Sequence, residues 1–268
     1  MVIVVKVGGS LLGEGVSSTI LSDIKAQEAS NRIILVHGGG DEVTAIAEKL
    51  GKEQKFVVSP EGIRSRYTDK ETVLIYTMVM AGRLNKEMVT ALQGAGVRAF
   101  GVSGIDGGIL RAERKKKLIV VDERGRKMII DGGYTGRIVE VNGEILRMLL
   151  DHGYTPLISP VAISSEFEPL NVDGDRAASF VAGGVKASKV IFLTDVPGVL
   201  RDGELIRELT LAQAEELLPT IGFGMEKKVL AAIEAVKMGV GESLIASGLV
   251  ENPITSAVGH RDCTVIHP

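Results

Sequence analysis

A single cysteine, Cys263, in 268 residues leaves no partner for an intrachain disulfide and no cysteine cluster for a metal, and it fits a reducing cytoplasm. Its setting, Cys263-Thr264-Val265-Ile266, reads as a strand, so the thiol is expected to fill core or near-surface space rather than act as a nucleophile. No apolar run approaches the roughly 20 residues that cross a bilayer. Met1 leads directly into a strand containing Lys6, without a basic region followed by an apolar one, so no signal peptide is expected. A net charge of −3 gives no bulk attraction to nucleic acid or membrane. Internal repeats, low-complexity segments and linkers are also missing. So are the Walker A and protein-kinase signatures. What remains is 45% hydrophobic and 24% charged, an ordinary globular chain long enough for one large α/β domain or two small lobes.

The chain is organised around His37-Gly38-Gly39-Gly40-Asp41-Glu42. The apolar run Ile33-Ile34-Leu35-Val36 enters three glycines and then a helical pattern. Strand, glycine turn and helix start in that order can hold anionic oxygen, because glycine lets backbone N–H groups come close and the helix end adds positive charge. The chain opens on the same arrangement, Val2 to Val7 running into Gly8-Gly9-Ser10. Two such turns suggest a phosphate gripped from more than one side.

Amphipathic helix 17–29, strand 32–37 and a helix to about 50 follow, the rhythm of a parallel sheet covered by helices on both faces. Ligands of such sheets sit beyond the strand carboxyl ends. Residues 51–68 read as irregular. Thr68 or Asp69 is expected to cap a helix over 70–81, and a second helix over 83–94 precedes strand 97–102. Residues 109–141 alternate in short pieces and predict a β-hairpin excursion set into the α/β pattern. This region carries one block of positive charge: Arg111, Arg114, Lys115, Lys116, Lys117, Arg124, Arg126 and Lys127. Such a run is either a solvated face or a docking surface for an acidic partner. The α/β rhythm then resumes with helices 143–151 and 176–186, strand 189–194, helix 210–218, a glycine turn at 222–225 and helix 226–238. Strands near 243–247 and 263–267 close the chain. A change of role falls near residue 186.

Lys6, Arg64, Asn171, Asp175, Asp195 and Lys228 all fall at the predicted sheet edge with the glycine turns. Two lysines and several N–H cradles suit polyphosphate, and an arginine suits a carboxylate. Lys6 inside an apolar strand has no structural reason, since burying an unpaired ammonium is costly.

VKVGGS, VHGGG, the arginine of GIRSRYTD, LNVDGDRAA, FLTDVPGVL and GFGMEKKV occur in the order found in the amino acid kinase family. Over essentially the whole chain they resemble its acetylglutamate kinase branch. The resemblance implies a largely parallel central sheet between helices, with residues 1–186 as the acyl-substrate lobe and 187–268 as the nucleotide-binding lobe of one continuous domain. It implies that Lys6 and Lys228 hold the transferring phosphoryl group, that Asp175 organises them, and that Gly9 and Gly40 clasp its oxygens. Gly39, Gly40, Arg64 and Asn171 would hold the acyl substrate. Gly8, Ser10, Thr194, Asp195, Gly198, Leu200 and Gly224 would join both lysines around ATP, with Mg2+ carried on the ATP phosphates and no protein metal site. Arg64-Ser65-Arg66-Tyr67-Thr68-Asp69 departs from the RVTD common in acetylglutamate kinases. With Tyr134-Thr135-Gly136 it resembles instead the kinases of lysine and arginine biosynthesis whose α-aminoadipate or glutamate is attached through its amino group to the small acidic carrier LysW. The basic block would then dock LysW. A cytoplasmic homodimer without arginine feedback is expected, because Met1 abuts the first strand where arginine-inhibited relatives carry an extra helix. The alternatives are N-acetylglutamate kinase acting on the free amino acid, and a regulatory sensor that kept the fold without turnover.

Overall fold

Strand Val2–Val7 sends alternate side chains to opposite faces, and a computed structural model covering residues 1–13, 15–60, 62–222 and 224–268 shows what each face meets. Ile3, Val5 and Val7 pack with Ile20, Ile24, Met88, Leu92, Ile254 and Ala257 of the helices on one side. Val4 faces the other side, in a cluster with Ile34, Val36 and Phe192 and with Ala177, Val181, Val229 and Ala232 of two helices. The sheet has eight strands in the order Glu208–Thr210, Cys263–His267, Glu242–Ser247, Lys189–Thr194, Val2–Val7, Arg32–His37, Thr155–Ser159 and Ala99–Ser103. The six from Glu242–Ser247 onward are parallel. Cys263–His267 runs antiparallel to its neighbour Glu242–Ser247, and Glu208–Thr210 follows it. Cys263 is buried in the core, as its setting implied.

Both glycine turns lie at the carboxyl edge and are stitched together there. Gly8 N donates to Leu193 O (3.0 Å), Gly38 N to Val7 O (2.9 Å) and Gly248 N to Thr194 O (2.7 Å).

Two expectations need correction, and a third, the hairpin excursion, is borne out with more detail. Residues 51–68 are not irregular throughout: Phe56–Val58 pairs antiparallel with Arg64–Arg66, and this hairpin overhangs the strand ends. Helices 70–81 and 83–94 are one helical run, from Lys70–Thr77 through a π-helical stretch, Met78–Leu84, into Asn85–Gly94. Gly82 does not break it, since a glycine lowers helix propensity by only about 1 kcal/mol and Val79, Met80 and Leu84 on either side are buried. Asp69 is the cap, its carboxylate accepting from Thr72 N at 2.8 Å. The excursion 109–141 is a hairpin inside a hairpin. Lys117–Val121 pairs with Lys127–Asp131, and Leu110–Arg114 pairs with Gly136–Val141. The outer pair also joins Val161–Ile163 and Pro169–Asn171 in a four-stranded sheet, a connection no local pattern marked.

Candidate active site

Lys6 shares a face of its strand with Val4, and that face is covered by helix Gly174–Val185. Asp173 caps the helix, accepting from the N–H groups of Asp175 and Arg176 at 3.0 Å each. The cap sets the first turn so that Asp175 meets Lys6, at Oδ1–Nζ 2.7 Å, with both side chains about 7% exposed. Lys228, in the first turn of helix Met225–Lys237, reaches the other oxygen at 3.4 Å. The two helices are held in register by Ser179 Oγ donating to Ala231 O (2.6 Å) and by the Arg176–Glu234 ion pair. Burial alone would raise the Asp175 pKa. The ammonium of Lys6, and after it that of Lys228, outweighs burial and holds the carboxyl below its ordinary range.

The glycine turns abut each other beside this triad. A Cβ on Gly38 would stand 2.6 Å from Gly9 N, and one on Gly9 would stand 3.1 Å from Gly39 N. Gly39 has φ +140° and backs onto Leu84, where a Cβ would meet Cδ1 at 2.2 Å. His37 is fully buried and its pKa is pushed down to about 4, chiefly by desolvation. Its Nδ1 donates to Gly38 O at 2.8 Å, which makes the ring a neutral support for the turn rather than a base.

A cavity of about 580 Å³ opens here, lined by Lys6, Gly9, Gly39, Gly40, Arg64, Asn171 and Asp175 among others. Asn171 Nδ2 donates to Thr68 Oγ1 (2.9 Å). The guanidinium of Arg64 lies over the Phe56 ring at 3.8 Å. The remaining predicted residues lie outside this cavity. Ser10 is exposed on the turn after Gly9, and Thr194 ends its strand with Oγ1 donating to Asp195 Oδ1 at 3.0 Å. Gly198 serves packing, since a Cβ would stand 2.5 Å from Thr264 Oγ1. Leu200 is exposed, and Gly224 precedes helix Met225–Lys237 with φ +88°. Phe223, within the predicted 222–225 turn, lies outside the described residues.

Three residues were not singled out for the cavity. Arg66 donates through Nη2 to Gly40 O (2.7 Å) and Thr44 Oγ1 (2.9 Å), tying the Phe56–Arg66 hairpin to the second glycine turn. The period-2 spacing of Arg64 and Arg66 was the available signal. Lys227 Nζ donates to Arg64 O at 2.5 Å, joining that hairpin to the helix that carries Lys228. Lys115, read in the sequence as part of an outward basic block, is half-buried and lines the cavity.

A lysine–aspartate–lysine triad thus stands beside two glycine turns at the carboxyl edge of a parallel sheet. The chain belongs to the amino acid kinase family, whose model matches residues 1–247. A provisionally named LysW-aminoadipate/LysW-glutamate kinase of Nitrosopumilus maritimus (strain SCM1) is 58% identical over 98% of both chains. The LysW-aminoadipate/LysW-glutamate kinase of Saccharolobus islandicus (strain L.S.2.15 / Lassen #1) is 45% identical over 99% of both. Among solved structures, carbamate kinase from Giardia lamblia bound to AMP-PNP shares the fold at TM-score 0.70 and 16% identity, covering 99% of this chain and 98% of that one. Fold, site and relatives agree on a phosphotransferase.

Proposed function

We propose that this chain phosphorylates the side-chain carboxylate of α-aminoadipate, and of glutamate, carried through its amino group on LysW, with ATP as donor. The observation that carries the reading is the Asp175 carboxylate shared by Lys6 and Lys228, which holds two ammonium groups beside the N–H cradle of Gly9 and Gly40. A carboxylate substrate, with a pKa of about 4, is ionised at pH 7 and needs no general base. Positioning and charge stabilisation suffice, and these are what lysines and N–H groups supply. Arg64 and Asn171 hold the acyl substrate in the 1–186 lobe. Gly8, Ser10, Thr194, Asp195, Gly198, Leu200 and Gly224 border the nucleotide, which the 187–268 lobe binds. Mg2+ would come carried on the ATP phosphates, where it would neutralise charge on the transferring group.

LysW, being acidic, docks on the outer face of the inner hairpin. There Lys116, Lys117, Arg124 and Lys127 are exposed and free of ion pairs among the described residues, whereas Arg111, Arg114 and Arg126 face Glu140, Glu168 and Asp122. Exposed Leu74 and Met78 on the long helix give a second copy an apolar face to cover, in keeping with a cytoplasmic homodimer. No helix among the described residues is long and apolar enough to cross a membrane.

The test is ATP-dependent acyl phosphate formation, trapped with hydroxylamine, on carrier-linked aminoadipate and glutamate beside free N-acetylglutamate. Product from the carrier-linked forms alone supports the reading. Turnover of N-acetylglutamate makes this an acetylglutamate kinase, and ATP binding without product from any substrate makes it a sensor.

A further inference from the structure

Lys115 ends the loop side of strand Leu110–Arg114, and its N–H donates to Thr135 O at 2.9 Å. Thr135 in turn bridges to Asn171, whose N–H donates to Tyr134 O at 2.9 Å. The four-stranded sheet thus sets Lys115, Thr135 and Asn171 side by side, and all three line the cavity that holds Lys6 and Asp175. Two features of this corner are incomplete as the protein stands. Lys115 is half-buried and has no ion-pair partner among the described residues; burial pushes its ammonium below the ordinary range and Arg176 nearby adds to that. Thr135 Oγ1 is shielded from solvent and has no hydrogen-bond partner. Asp173, which lines the same cavity, offsets part of this without forming an ion pair; a half-buried cation and an unpaired hydroxyl lining one cavity are costly unless a ligand anion completes them.

We infer that Lys115 and Thr135 form a specificity corner that takes the α-carboxylate of the N-acylated substrate while its side-chain carboxylate lies at Lys6. This rests on the carboxylate-kinase reading and deepens it. A dicarboxylate in one cavity needs counter-charge at both ends. Lys6 and Lys228, spaced by Asp175, supply it at the reacting end, and Lys115 with Arg64 supplies it at the other. The amino group of the substrate is acylated and neutral, so nothing on the ligand itself offsets the α-carboxylate. The role belongs to binding: Lys115 makes the same contact before and during transfer, so its loss raises KM and spares kcat.

The experiment compares wild type, Lys115→Met, Lys115→Arg and Thr135→Val on carrier-linked aminoadipate and on the same conjugate with the α-carboxylate converted to the 1-amide. Both kinetics and calorimetric binding are read. Lys115→Met is expected to raise KM and Kd for the acid about tenfold or more, the worth of a charge-assisted contact, with kcat nearly unchanged. Lys115→Arg should recover most of the affinity, and Thr135→Val should show a smaller rise. On the 1-amide, wild type and Lys115→Met should bind alike. An equal penalty on acid and amide, or a loss confined to kcat, overturns the assignment. If wild type ignores the conjugates and turns over N-acetylglutamate, the carrier reading fails by itself. The same acid-against-amide comparison on N-acetylglutamate and its 1-amide then decides Lys115 independently.

Discussion

Lys6 and Asp175 form an ion pair of 2.7 Å with both side chains nearly sealed from solvent. One stands on the first strand and the other opens a helix past the middle of the chain. A buried pair of this kind is weak evidence for stability, because desolvation of both charges offsets their attraction. The second oxygen of Asp175 is left for Lys228, so one carboxylate sets the spacing of two ammonium groups.

Lys228→Ala should therefore lower turnover by about 10²–10³-fold while ATP still binds. A hydroxamate assay paired with calorimetry reads both, and turnover at the wild-type level would remove the role given to Lys228. Asp175→Ala leaves two ammonium groups facing each other and should cost about 3–5 kcal/mol of stability. Adding Lys6→Met should return part of that in urea denaturation. No recovery in the double variant would show that repulsion between the lysines is not the cause.

Acid should weaken the protein in two windows. His37 titrates near 6.5 when unfolded and about 4 when folded, so between those values the unfolded chain binds the extra proton and stability falls as pH falls. Between pH 7 and pH 5 this amounts to about 2 kcal/mol. Asp175 has the opposite charge type but the same sign: its folded pKa is depressed, so its contribution is complete above the ordinary carboxylate range and is lost as pH drops through the folded value. Denaturation midpoints of wild type and His37→Asn at pH 7 and pH 5 separate the two. An identical loss in both proteins would acquit His37.

Gly38→Ala should disrupt the cradle, because its Cβ would stand 2.6 Å from a backbone nitrogen of the facing turn. Overpacking of this kind costs about 1–3 kcal/mol, and here the strain falls on the N–H groups of Gly9. Turnover should fall more than stability. Gly94→Ala, at an open position ending helix Asn85–Gly94, serves as the control and should leave activity intact. Equal activity in the two variants would separate the close approach of the turns from catalysis.

Charge reversal at Lys116, Lys117 and Lys127 should weaken carrier-linked substrate, more so at low salt, and leave a small acylated substrate untouched. Lys115 is kept out of that set because it lines the cavity. An equal effect on both substrates would return this face to simple solvation.

Several residues that the structure brings together around the cavity are legible in the sequence. Lys6 stands out because an ammonium inside an apolar strand demands a partner; that Asp175 of NVDGD is this partner followed only from the family resemblance. The glycine turns announced the cradle through strand and helix periodicity on either side. Less visible was the hairpin Phe56–Arg66, whose strands of three residues each are too short to show alternation. Arg66 was read only as part of a motif, since its contacts with Gly40 and Thr44 depend on a pairing that no local pattern encodes. Lys115 was grouped with its charged neighbours, because a run of positive residues looks alike whether a side chain turns outward or into a cavity.

By itself the sequence determined the elements that local physics dictates: parallel strands from apolar runs, helix starts from caps, glycine where backbones must approach, and the residue types needed to hold phosphate and carboxylate. Which charges meet is set by packing between elements far apart in the chain. It put Lys6 on the face covered by Asp175, brought Lys228 to the second oxygen, joined Lys227 to the hairpin of Arg64, and divided the basic block between surface and cavity. The physical reason is that a side chain's partner across a sheet or between helices depends on register and packing, summed over the whole core, while its chemistry depends on the residue alone.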